Sequence, residues 1–378
     1  MLSGDAMGRK LVLVGGGHAH MVTLANLDHF VEKGHEVTVV GPSEYHYYSG
    51  MGPGMLGRTY SPDDIRFATR FLVEKKGARF LKDKVTHINP DAKTVHLESG
   101  NSLAYDVLSF NAGSYVPRDR IRGDDANIFS VKPIERLMQA QEKLLDLMSQ
   151  KEIIVSIIGG GPSSAEIAGN VWQLSRQAHT HAPQIQVFAG KKFMTRFPES
   201  VRSRILNILK KRDIIFHEGA YVDQVTDSTV TLENGRTYNT DFTFLALGVK
   251  PSTIFERSGL PTGPDKGLLV NSFLQSTRYP DIFGGGDCIH FKEQPLDKVG
   301  VYAVRQNPVL YHNLMARLEN RSLMPFDPGP DYLLIFNVGG SKGVLKKHGL
   351  VFGGRLAFKI KDYIDVKFMK KFQAYEQT

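Results

Sequence analysis

The apolar positions of the chain follow the same order of elements twice. A short apolar run at residues 11–14 leads into three glycines, a stretch compatible with a helix, and a second apolar run at residues 37–40. The order returns at residues 153–158, with three further glycines, a helical stretch and an apolar run at residues 185–188. Each segment therefore predicts a strand, a glycine turn, a helix and a second strand.

Each unit also contains an alternating, β-rich stretch, at residues 94–113 and 230–248. A turn glycine, an acidic residue and a strand-ending glycine recur at the same intervals in both stretches: Gly100, Asp106 and Gly113, then Gly235, Asp241 and Gly248. Such matched spacing indicates an internal repeat. The sequence therefore predicts an α/β protein with two Rossmann-like dinucleotide-binding domains, each with an inserted β-meander, followed by a C-terminal α+β tail.

The glycine turns indicate dinucleotide binding. A turn from a parallel strand into a helix directs backbone N–H groups and the positive helix end at one point, where a pyrophosphate is stabilised. Both motifs are imperfect: Gly15 and Gly17 are followed by His20 in the third glycine position, and Gly161 by Ser164. An ordinary strand-to-helix turn is the alternative for either motif alone, but two motifs in matching context favour dinucleotides.

An acidic residue follows another strand and glycine run late in the chain, where residues 279–288 read YPDIFGGGDC. Asp287 at this point can accept hydrogen bonds from the ribityl hydroxyls of a flavin. The alternative is that Asp287 caps the following helix.

Composition narrows the partners and the compartment. The 378 residues have a formal net charge of +8, which favours anionic partners such as nucleotides or acidic lipid, and no recognition motif suggests nucleic acid. The single cysteine, Cys288, allows neither an internal disulfide nor a dithiol pair. No apolar run reaches the roughly 20 residues that span a bilayer, so we expect a cytoplasmic protein. His18 and His20 have no third ligand nearby in sequence, and we expect no metal.

Over residues 10–318 the chain resembles type II NADH dehydrogenases and sulfide:quinone oxidoreductases, within the pyridine nucleotide-disulfide oxidoreductase superfamily. The segments GGGHAH, YHYYSGM and KVGVYAVRQ look most like flavoprotein modules linked to selenophosphate synthetase. The resemblance implies an FAD-binding domain at residues 1–120 and 249–320 and an NAD(P)-binding domain at residues 121–248. Residues 321–378 would form a C-terminal segment that contacts a membrane or, in a homodimer, a second copy.

The resemblance also implies the cofactor contacts: pyrophosphate at the first glycine turn and ribityl hydroxyls at Asp287. The expected cofactor-binding residues are Gly15, Gly16, Gly17, His18, Ala19, Ser43, Asn111, Ala112, Gly113, Gly159, Gly161, Pro162, Ser163, Lys191, Gly248, Gly286, Asp287, Val301 and Tyr302.

Four residues are expected to act in catalysis on the same grounds. Glu166 falls where such enzymes keep a glutamate near the nicotinamide, with a first-turn helix acid as the alternative. Gln306 falls on the helix where quinone reductases admit the quinone, with a solvated glutamine as the alternative. Tyr45 and His46 belong to an aromatic loop expected beside the isoalloxazine, with ordinary core packing as the alternative.

Three departures from the family pattern change these expectations. Gly41 stands where an acid would bind the adenosine ribose of FAD, so Ser43 or backbone must replace it. Ala189, followed by Lys191 and Lys192, stands at the equivalent place in the second unit and favours NADPH over NADH. The two catalytic cysteines of sulfide oxidation are missing, which argues against sulfide as substrate.

The resemblance implies that a nicotinamide nucleotide gives a hydride to FAD and leaves before a quinone or similar small acceptor takes two electrons. We therefore expect an FAD-dependent NAD(P)H:quinone-type oxidoreductase. A flavin- or nucleotide-binding regulator with little turnover is the alternative. A helix beginning near Asp297 or Lys298 is expected to point its positive end at the reduced flavin.

The tail at residues 355–372 has an apolar stripe at helical spacing: Leu356, Ile360, Tyr363, Ile364, Phe368 and Phe372. Lysines between these positions make the other face basic, as in helices that lie on membranes. We expect a peripheral contact with the inner face of the membrane. Docking on the protein's own core or on a second copy is the alternative, and Asp362 and Asp365 favour it.

Overall fold

The structure is a computed structural model that describes residues 8–122 and 126–377. The strands are β1 (Lys10–Val14), β2 (Glu36–Gly41), β3 (His46–Tyr47), β4 (Arg66–Phe67), β5 (Arg79–Lys82), β6 (Val85–Asn89), β7 (Thr94–Leu97), β8 (Ser102–Ala104), β9 (Val107–Phe110), β10 (Ser114–Tyr115), β11 (Ile128–Ser130), β12 (Ile154–Ile158), β13 (Gln184–Phe188), β14 (Ile215–His217), β15 (Val222–Val225), β16 (Thr229–Leu232), β17 (Thr237–Asn239), β18 (Phe242–Leu245), β19 (Lys250–Pro251), β20 (Leu268–Val270), β21 (Ile282–Gly284), β22 (Ile289–Phe291), β23 (Leu334–Asn337), β24 (Gly343–Lys347) and β25 (Leu350–Gly354). The helices are α1 (Met21–Ala25), α2 (Leu27–Val31), α3 (Gly52–Leu56), α4 (Thr69–Lys75), α5 (Ile134–Gln150), α6 (Pro162–Ala178), α7 (Glu199–Lys210), α8 (Ile254–Arg257), α9 (Gly300–Leu318) and α10 (Arg355–Gln377).

Two parallel five-stranded sheets confirm the predicted α/β fold. The first has the order β21-β9-β1-β2-β5 and the second the order β11-β18-β12-β13-β14. Each glycine turn follows the central strand, β1 or β12, where the strand order reverses. Ligands of open parallel sheets bind at such switch points.

The predicted meanders form two antiparallel three-stranded sheets, β6-β7-β8 and β15-β16-β17. They leave the Rossmann sheets between equivalent strands, which confirms the internal repeat. The first sheet is completed by β21, which follows the whole second sheet in sequence. This arrangement is consistent with a discontinuous first domain, and the boundaries at residues 120, 248 and 320 stay a prediction.

The central strands are apolar because they are covered on both faces. All four residues of β9 and all four of β18 are buried, and a separate hydrophobic core surrounds each sheet. Apolar runs without alternation are typical of parallel strands packed between helices.

The C-terminal segment forms an antiparallel sheet, β23-β24-β25, followed by the long helix α10. The predicted apolar stripe of α10 is divided by its surroundings. Phe372 is buried, whereas Leu356, Tyr363 and Ile364 are 63%, 66% and 43% exposed. The helix therefore packs on the protein with one side and presents apolar side chains to solvent with another.

The expected position of the flavin-proximal helix needs a small correction. The helix α9 begins at Gly300, after Val299 in an extended conformation, rather than at Asp297 or Lys298. Lys298 lies before the helix, and its ammonium group is paired with Asp265 at 2.8 Å.

Candidate active site

One continuous cleft of about 1800 Å³ runs between the two Rossmann sheets and the C-terminal segment. Both glycine turns, the aromatic loop, the start of α9 and the inner side of α10 line it. The predicted site residues all line this cleft except Ala19, Lys191 and Gln306. The fold therefore brings together residues that are up to about three hundred positions apart in the sequence.

The first glycine turn is sterically closed. Gly15 has φ +89° and donates its N–H to Val40 O at 2.8 Å, which ties the turn to β2. A Cβ atom on Gly17 would overlap Asn111 Oδ1. The Asn111 amide in turn donates to Gly285 O at 3.2 Å. Glycine is therefore required at both positions, and Asn111 joins the turn to the glycine run before Asp287.

His20 explains how the first turn forms without a third glycine. Its ring is fully buried, with Nδ1 2.7 Å from Gly15 O and Nε2 2.8 Å from Ser109 Oγ. Burial lowers the pKa of His20 to about 4, so the ring is neutral at physiological pH. His20 does not line the cleft, because its ring faces the interior behind the turn and holds the turn in shape.

His18 faces the cleft instead. Its side chain lines the cleft with only 7% exposure, and its Nε2 has no hydrogen-bond partner among the described residues. Buried polar atoms are nearly always hydrogen-bonded in native proteins. A group bound in the cleft would supply the partner.

Asp287 is held by two groups at one of its oxygens. Lys132 Nζ lies 2.8 Å from Oδ2, and the Ser114 hydroxyl donates to the same oxygen at 2.8 Å. Although burial acts in the opposite direction, the Lys132 cation and these hydrogen bonds keep the pKa of Asp287 below its usual value. The carboxylate is therefore ionised, and Oδ1 makes no hydrogen bond to the parts of the chain that the structure describes. This oxygen is free to accept a ribityl hydroxyl, and Asp287 does not cap the following helix, whose N-cap residue is Val299.

Lys132 was not anticipated from the sequence. It lies between β11 and α5, in a stretch with no motif, and reaches the cleft only because the second unit packs against the first. Only the tertiary fold places its ammonium group beside Asp287.

Gln306 acts behind the cleft rather than inside it. The side chain is buried on α9, and its Oε1 accepts a hydrogen bond of 2.7 Å from Gly286 N. The reading as a solvated glutamine is wrong. The direct contact with an acceptor that the family pattern suggests is not seen either, because Gln306 positions the turn that presents Asp287.

The second glycine turn is closed at Gly159 and Gly160, where an added Cβ would overlap Ala246 O and Ala189 O, but it is open at Gly161. Gly159 donates to Phe188 O at 2.9 Å, and Gly161 caps α6, whose first residue is Pro162. A Cβ on Gly161 would meet no atom within 4 Å. The N-terminus of this 17-residue helix therefore opens directly into the cleft, where its dipole favours an anionic group.

Glu166 lies on the inner side of α6. Its Oε1 accepts a hydrogen bond of 2.8 Å from Asn337 N at the end of β23. Burial raises the pKa of Glu166 to about 7, although Lys361 and this hydrogen bond act in the opposite direction. A first-turn acid that merely interacts with the helix dipole would be charged and solvated, so that alternative is wrong. Glu166 can hold or release a proton near neutral pH.

The aromatic loop is joined to α10 by buried polar contacts. The Tyr48 hydroxyl donates to Asp365 Oδ1 at 3.0 Å, and Lys361 Nζ bonds Asp365 Oδ2 at 2.6 Å and Gly50 O at 2.9 Å. Lys361 and Asp365 are 9% and 4% exposed. Asp365 is therefore buried against the protein, and this side of α10 is part of the cleft wall.

The remaining loop residues divide between the cleft and the surface. Tyr45 is 36% exposed, with the Arg66 guanidinium 4.4 Å from its ring centre. His46 points inward, with Nε2 3.2 Å from His18 Nδ1. Ser43 lines the cleft where the ribose acid is missing, and its hydroxyl accepts from Tyr45 N at 3.2 Å.

The residues expected to select NADPH lie outside the cleft. Ala189 is buried, Lys191 is exposed, and neither lines the cleft. Lys192 Nζ lies 3.5 Å from Glu199 Oε2. Their positions provide no direct contact with a nucleotide in the cleft.

Among residues 8–122 and 126–377, no helix has the length and apolar character needed to cross a bilayer.

Comparison with known proteins agrees with this geometry. Residues 9–314 match the profile of the pyridine nucleotide-disulphide oxidoreductase family. The type II NADH:quinone oxidoreductase of Staphylococcus saprophyticus is 24% identical, over 96% of this chain and 96% of the relative. The same enzyme of Staphylococcus aureus is 24% identical over 96% and 93%.

Two solved structures share the fold at low identity. NDH2 from Plasmodium falciparum, in complex with NADH, aligns with a TM-score of 0.78 and 15% identity over 97% of this chain and 96% of that chain. The sulfide:quinone oxidoreductase from Aquifex aeolicus aligns with a TM-score of 0.77 and 18% identity over 97% and 92%.

Proposed function

Since the chain belongs to the pyridine nucleotide-disulphide oxidoreductase family and is an FAD-dependent oxidoreductase, we propose that it transfers two electrons from NADH through FAD to a quinone. The observation that carries this proposal is that one cleft is lined by both glycine turns, Glu166 and the aromatic loop. Relatives named type II NADH:quinone oxidoreductases align over nearly the whole chain, which supports the same donor and acceptor classes.

The residues of the first unit would hold FAD. The closed turn fits the pyrophosphate of the dinucleotide, and Asp287 Oδ1 fits a ribityl hydroxyl. Bound FAD supplies a carrier that accepts two electrons from a nicotinamide and gives them to a second substrate. Gln306 and Lys132 keep Asp287 and its turn in position.

The residues of the second unit and the C-terminal segment would hold the two substrates. The open turn at Gly161 suits the pyrophosphate of NADH, which must enter and leave in every cycle. Glu166 and Tyr48 lie where the aromatic loop, β23 and α10 meet. A flat acceptor bound there could contact the titratable carboxyl group of Glu166 and the aromatic ring of Tyr48. The regulator alternative is disfavoured because both turns and Glu166 share one cleft.

We propose NADH as the donor, because the aligned relatives are named for NADH. The preference for NADPH that Ala189 and the two lysines suggest stays a prediction, since these residues do not line the cleft.

A direct test uses the purified protein under argon. We expect a yellow protein whose flavin absorbance is bleached by NADH and restored by a short-chain quinone. Denaturation should release the flavin, because nothing in the site suggests a covalent link. A colourless protein that takes up no FAD on reconstitution would contradict the cofactor assignment. A protein that bleaches with NADH but is not reoxidised by any quinone would contradict the acceptor alone.

We further propose that the exposed side of α10 rests on the inner face of the membrane. Leu356, Tyr363 and Ile364 are largely exposed there, with Lys359 and Lys367 beside them in sequence. A helix with apolar and basic side chains on its outer side binds anionic bilayer surfaces.

Replacing Leu356 and Ile364 with serine tests this contact without disturbing the buried side of α10. We expect wild-type protein to float with anionic vesicles at low salt and the double variant to remain in solution, with FAD bound in both. If the wild type does not float and is a dimer that the double variant dissociates, the exposed side binds a second copy instead.

A further inference from the structure

Two histidines form a hydrogen-bonded pair at the wall of the cleft. His18 Nδ1 and His46 Nε2 lie 3.2 Å apart, and the ring planes are inclined by 77°. His18 belongs to the first glycine turn and His46 to the aromatic loop. The family pattern suggests that His18 contacts a pyrophosphate and that His46 lies beside the flavin. Neither role requires the hydrogen bond between the two histidines.

The two ends of the pair differ in exposure. His18 Nε2 is buried and has no partner in the described ranges 8–122 and 126–377, although its side chain lines the cleft. His46 is only partly buried. The pair therefore connects an unpartnered nitrogen in the cleft with a second ring that also lines the cleft.

Aromatic packing fixes both rings. Phe368 of α10 stacks on His18 with ring centres 5.7 Å apart, and Phe67 stacks on His46 at 6.2 Å. Tyr48 also touches the His18 ring, at 5.0 Å between centres. Rings held on several sides keep the orientation that a hydrogen-bonded pair requires.

Both rings are neutral in this environment. Burial, and to a lesser extent the Lys132 cation, lowers the pKa of His46 to about 4. Burial and His46 also lower the pKa of His18, where Asp287 acts in the opposite direction and Lys132 in the same one. The neighbouring Tyr48 has a pKa raised well above its usual value by burial and then by Asp365, so it is a neutral phenol. A neutral imidazole donates from one nitrogen and accepts at the other, as proton transfer along a pair requires.

We propose that His46 and His18 relay the proton that reduction of the acceptor consumes. His18 donates its Nε2 proton to an acceptor oxygen in the cleft and recovers a proton at Nδ1 from His46 Nε2, while His46 takes one from water. The inference rests on the proposed quinone reductase activity. The hydride of NADH brings two electrons and one proton, and the relay brings the second proton, so NADH, H⁺ and quinone give NAD⁺ and quinol.

In this scheme His18 is a catalytic residue, because it touches the acceptor, and His46 is a positioning residue that acts through it. The variant His46→Gln can keep a hydrogen bond to His18 but cannot relay a proton. We expect bleaching by NADH at the wild-type rate and reoxidation by a short-chain quinone slowed at least about tenfold.

Ferricyanide separates a proton relay from a structural role. It accepts electrons without protons, so His46→Gln should be reoxidised by ferricyanide at the wild-type rate. The control His96→Gln changes an exposed histidine on β7 that bonds Ser102, and it should behave as wild type with both acceptors. Equal slowing with quinone and ferricyanide, or no slowing with quinone, overturns the relay.

A second measurement does not depend on turnover or on the stability of the variant. In wild-type protein labelled with ¹⁵N-histidine, we expect His18 and His46 both to be neutral and protonated at Nε2 at neutral pH. A charged ring, or His18 protonated at Nδ1 instead, overturns the relay. Failure of the proposed function would appear differently, as wild-type protein that no quinone reoxidises.

Discussion

The two glycine turns occupy equivalent places in two sheets of equivalent order, yet they are completed by different side chains. Asn111, directly after β9, and Ala246, directly after β18, occupy equivalent positions in the two units. The Asn111 amide closes over Gly17 and binds Gly285 O, whereas Ala246 has no side chain that could reach Gly161.

The third position of each motif shows the same contrast. His20 is hydrogen-bonded to Gly15 within the first turn and to Ser109 on β9. The Ser164 hydroxyl in the second turn, in contrast, is buried without a partner in the described structure. The first turn is therefore fixed by its own contacts, which suits a cofactor retained through many cycles. The second turn leaves room for a nucleotide that exchanges.

The largest effect is expected from placing a methyl group in each turn. Gly17→Ala would drive Cβ into Asn111 Oδ1 and displace the amide that closes the turn. We expect FAD affinity to fall by about 3 kcal/mol or more, roughly a hundredfold. The matched variant Gly161→Ala has free space and should retain FAD fully. The ratio of flavin to protein after gel filtration measures both.

Equal loss of FAD from the two alanine variants would show that the closed and open turns do not differ in function. Loss of FAD from Gly161→Ala alone would reverse the assignment of the two units.

The next effect concerns the stability of the turns themselves. His20→Ala removes two buried hydrogen bonds and leaves Ser109 without its partner, so we expect about 2 kcal/mol of destabilisation. Ser164→Ala removes a hydroxyl that makes no bond and should change the free energy of unfolding by less than about 0.5 kcal/mol. Thermal unfolding of both variants measures the two changes in stability. Similar losses of stability would contradict the view that only the first turn is stabilised by the residue in its third glycine position.

The fold was predictable because its signal is repeated and local. Apolar runs without alternation, the glycines after them and the matched meanders all depend on neighbours within a few residues, and each appears twice. For the same reason Asp287 could be located from its own segment, directly after a strand and three glycines.

The partners of these residues could not be predicted, because tertiary packing selects them. Nothing around Lys132 indicates that it meets Asp287, which lies more than 150 residues away. The spacing of Lys361 and Asp365 is a visible ion-pair signal within a helix, but the sequence alone did not show that this side faces inward. His20 looked like a defect in a glycine motif, and its two hydrogen bonds appear only when β9 lies beside the turn.

A third prediction concerns Glu166, an acid on α6 with no acidic counterpart in the first unit. Glu166 stands on α6 where the first unit has Val22, and its pKa is raised from 4.5 to about 7, mainly by burial. A pKa that is higher in the folded state means that the folded protein binds the proton more tightly, so stability falls as pH rises from about 4.5 to 7. We expect this fall to be about 2 to 3 kcal/mol in the wild type and absent in Glu166→Gln.

Unfolding free energies of both proteins at about pH 5 and about pH 7.5 measure the difference. If the difference in unfolding free energy between the two proteins does not change with pH, the pKa of Glu166 is the same in the folded and unfolded states. Burial of Glu166 against β23 would then have no electrostatic consequence.

The smallest effect is expected at the ends of the second strands, where Gly41 and Ala189 leave both units without a ribose-binding acid. Lys191 and Lys192 could replace such an acid by binding a 2′-phosphate, but both lie outside the cleft and Lys192 is paired with Glu199. We therefore expect Lys191→Ala combined with Lys192→Ala to change the ratio of kcat/KM for NADH and NADPH by less than about threefold, as for a solvated charge. Single-turnover bleaching with each nucleotide measures this ratio directly. A tenfold or greater loss confined to NADPH would show that the lysines reach the nucleotide when it binds, and the preference for NADPH suggested by Ala189 would then hold.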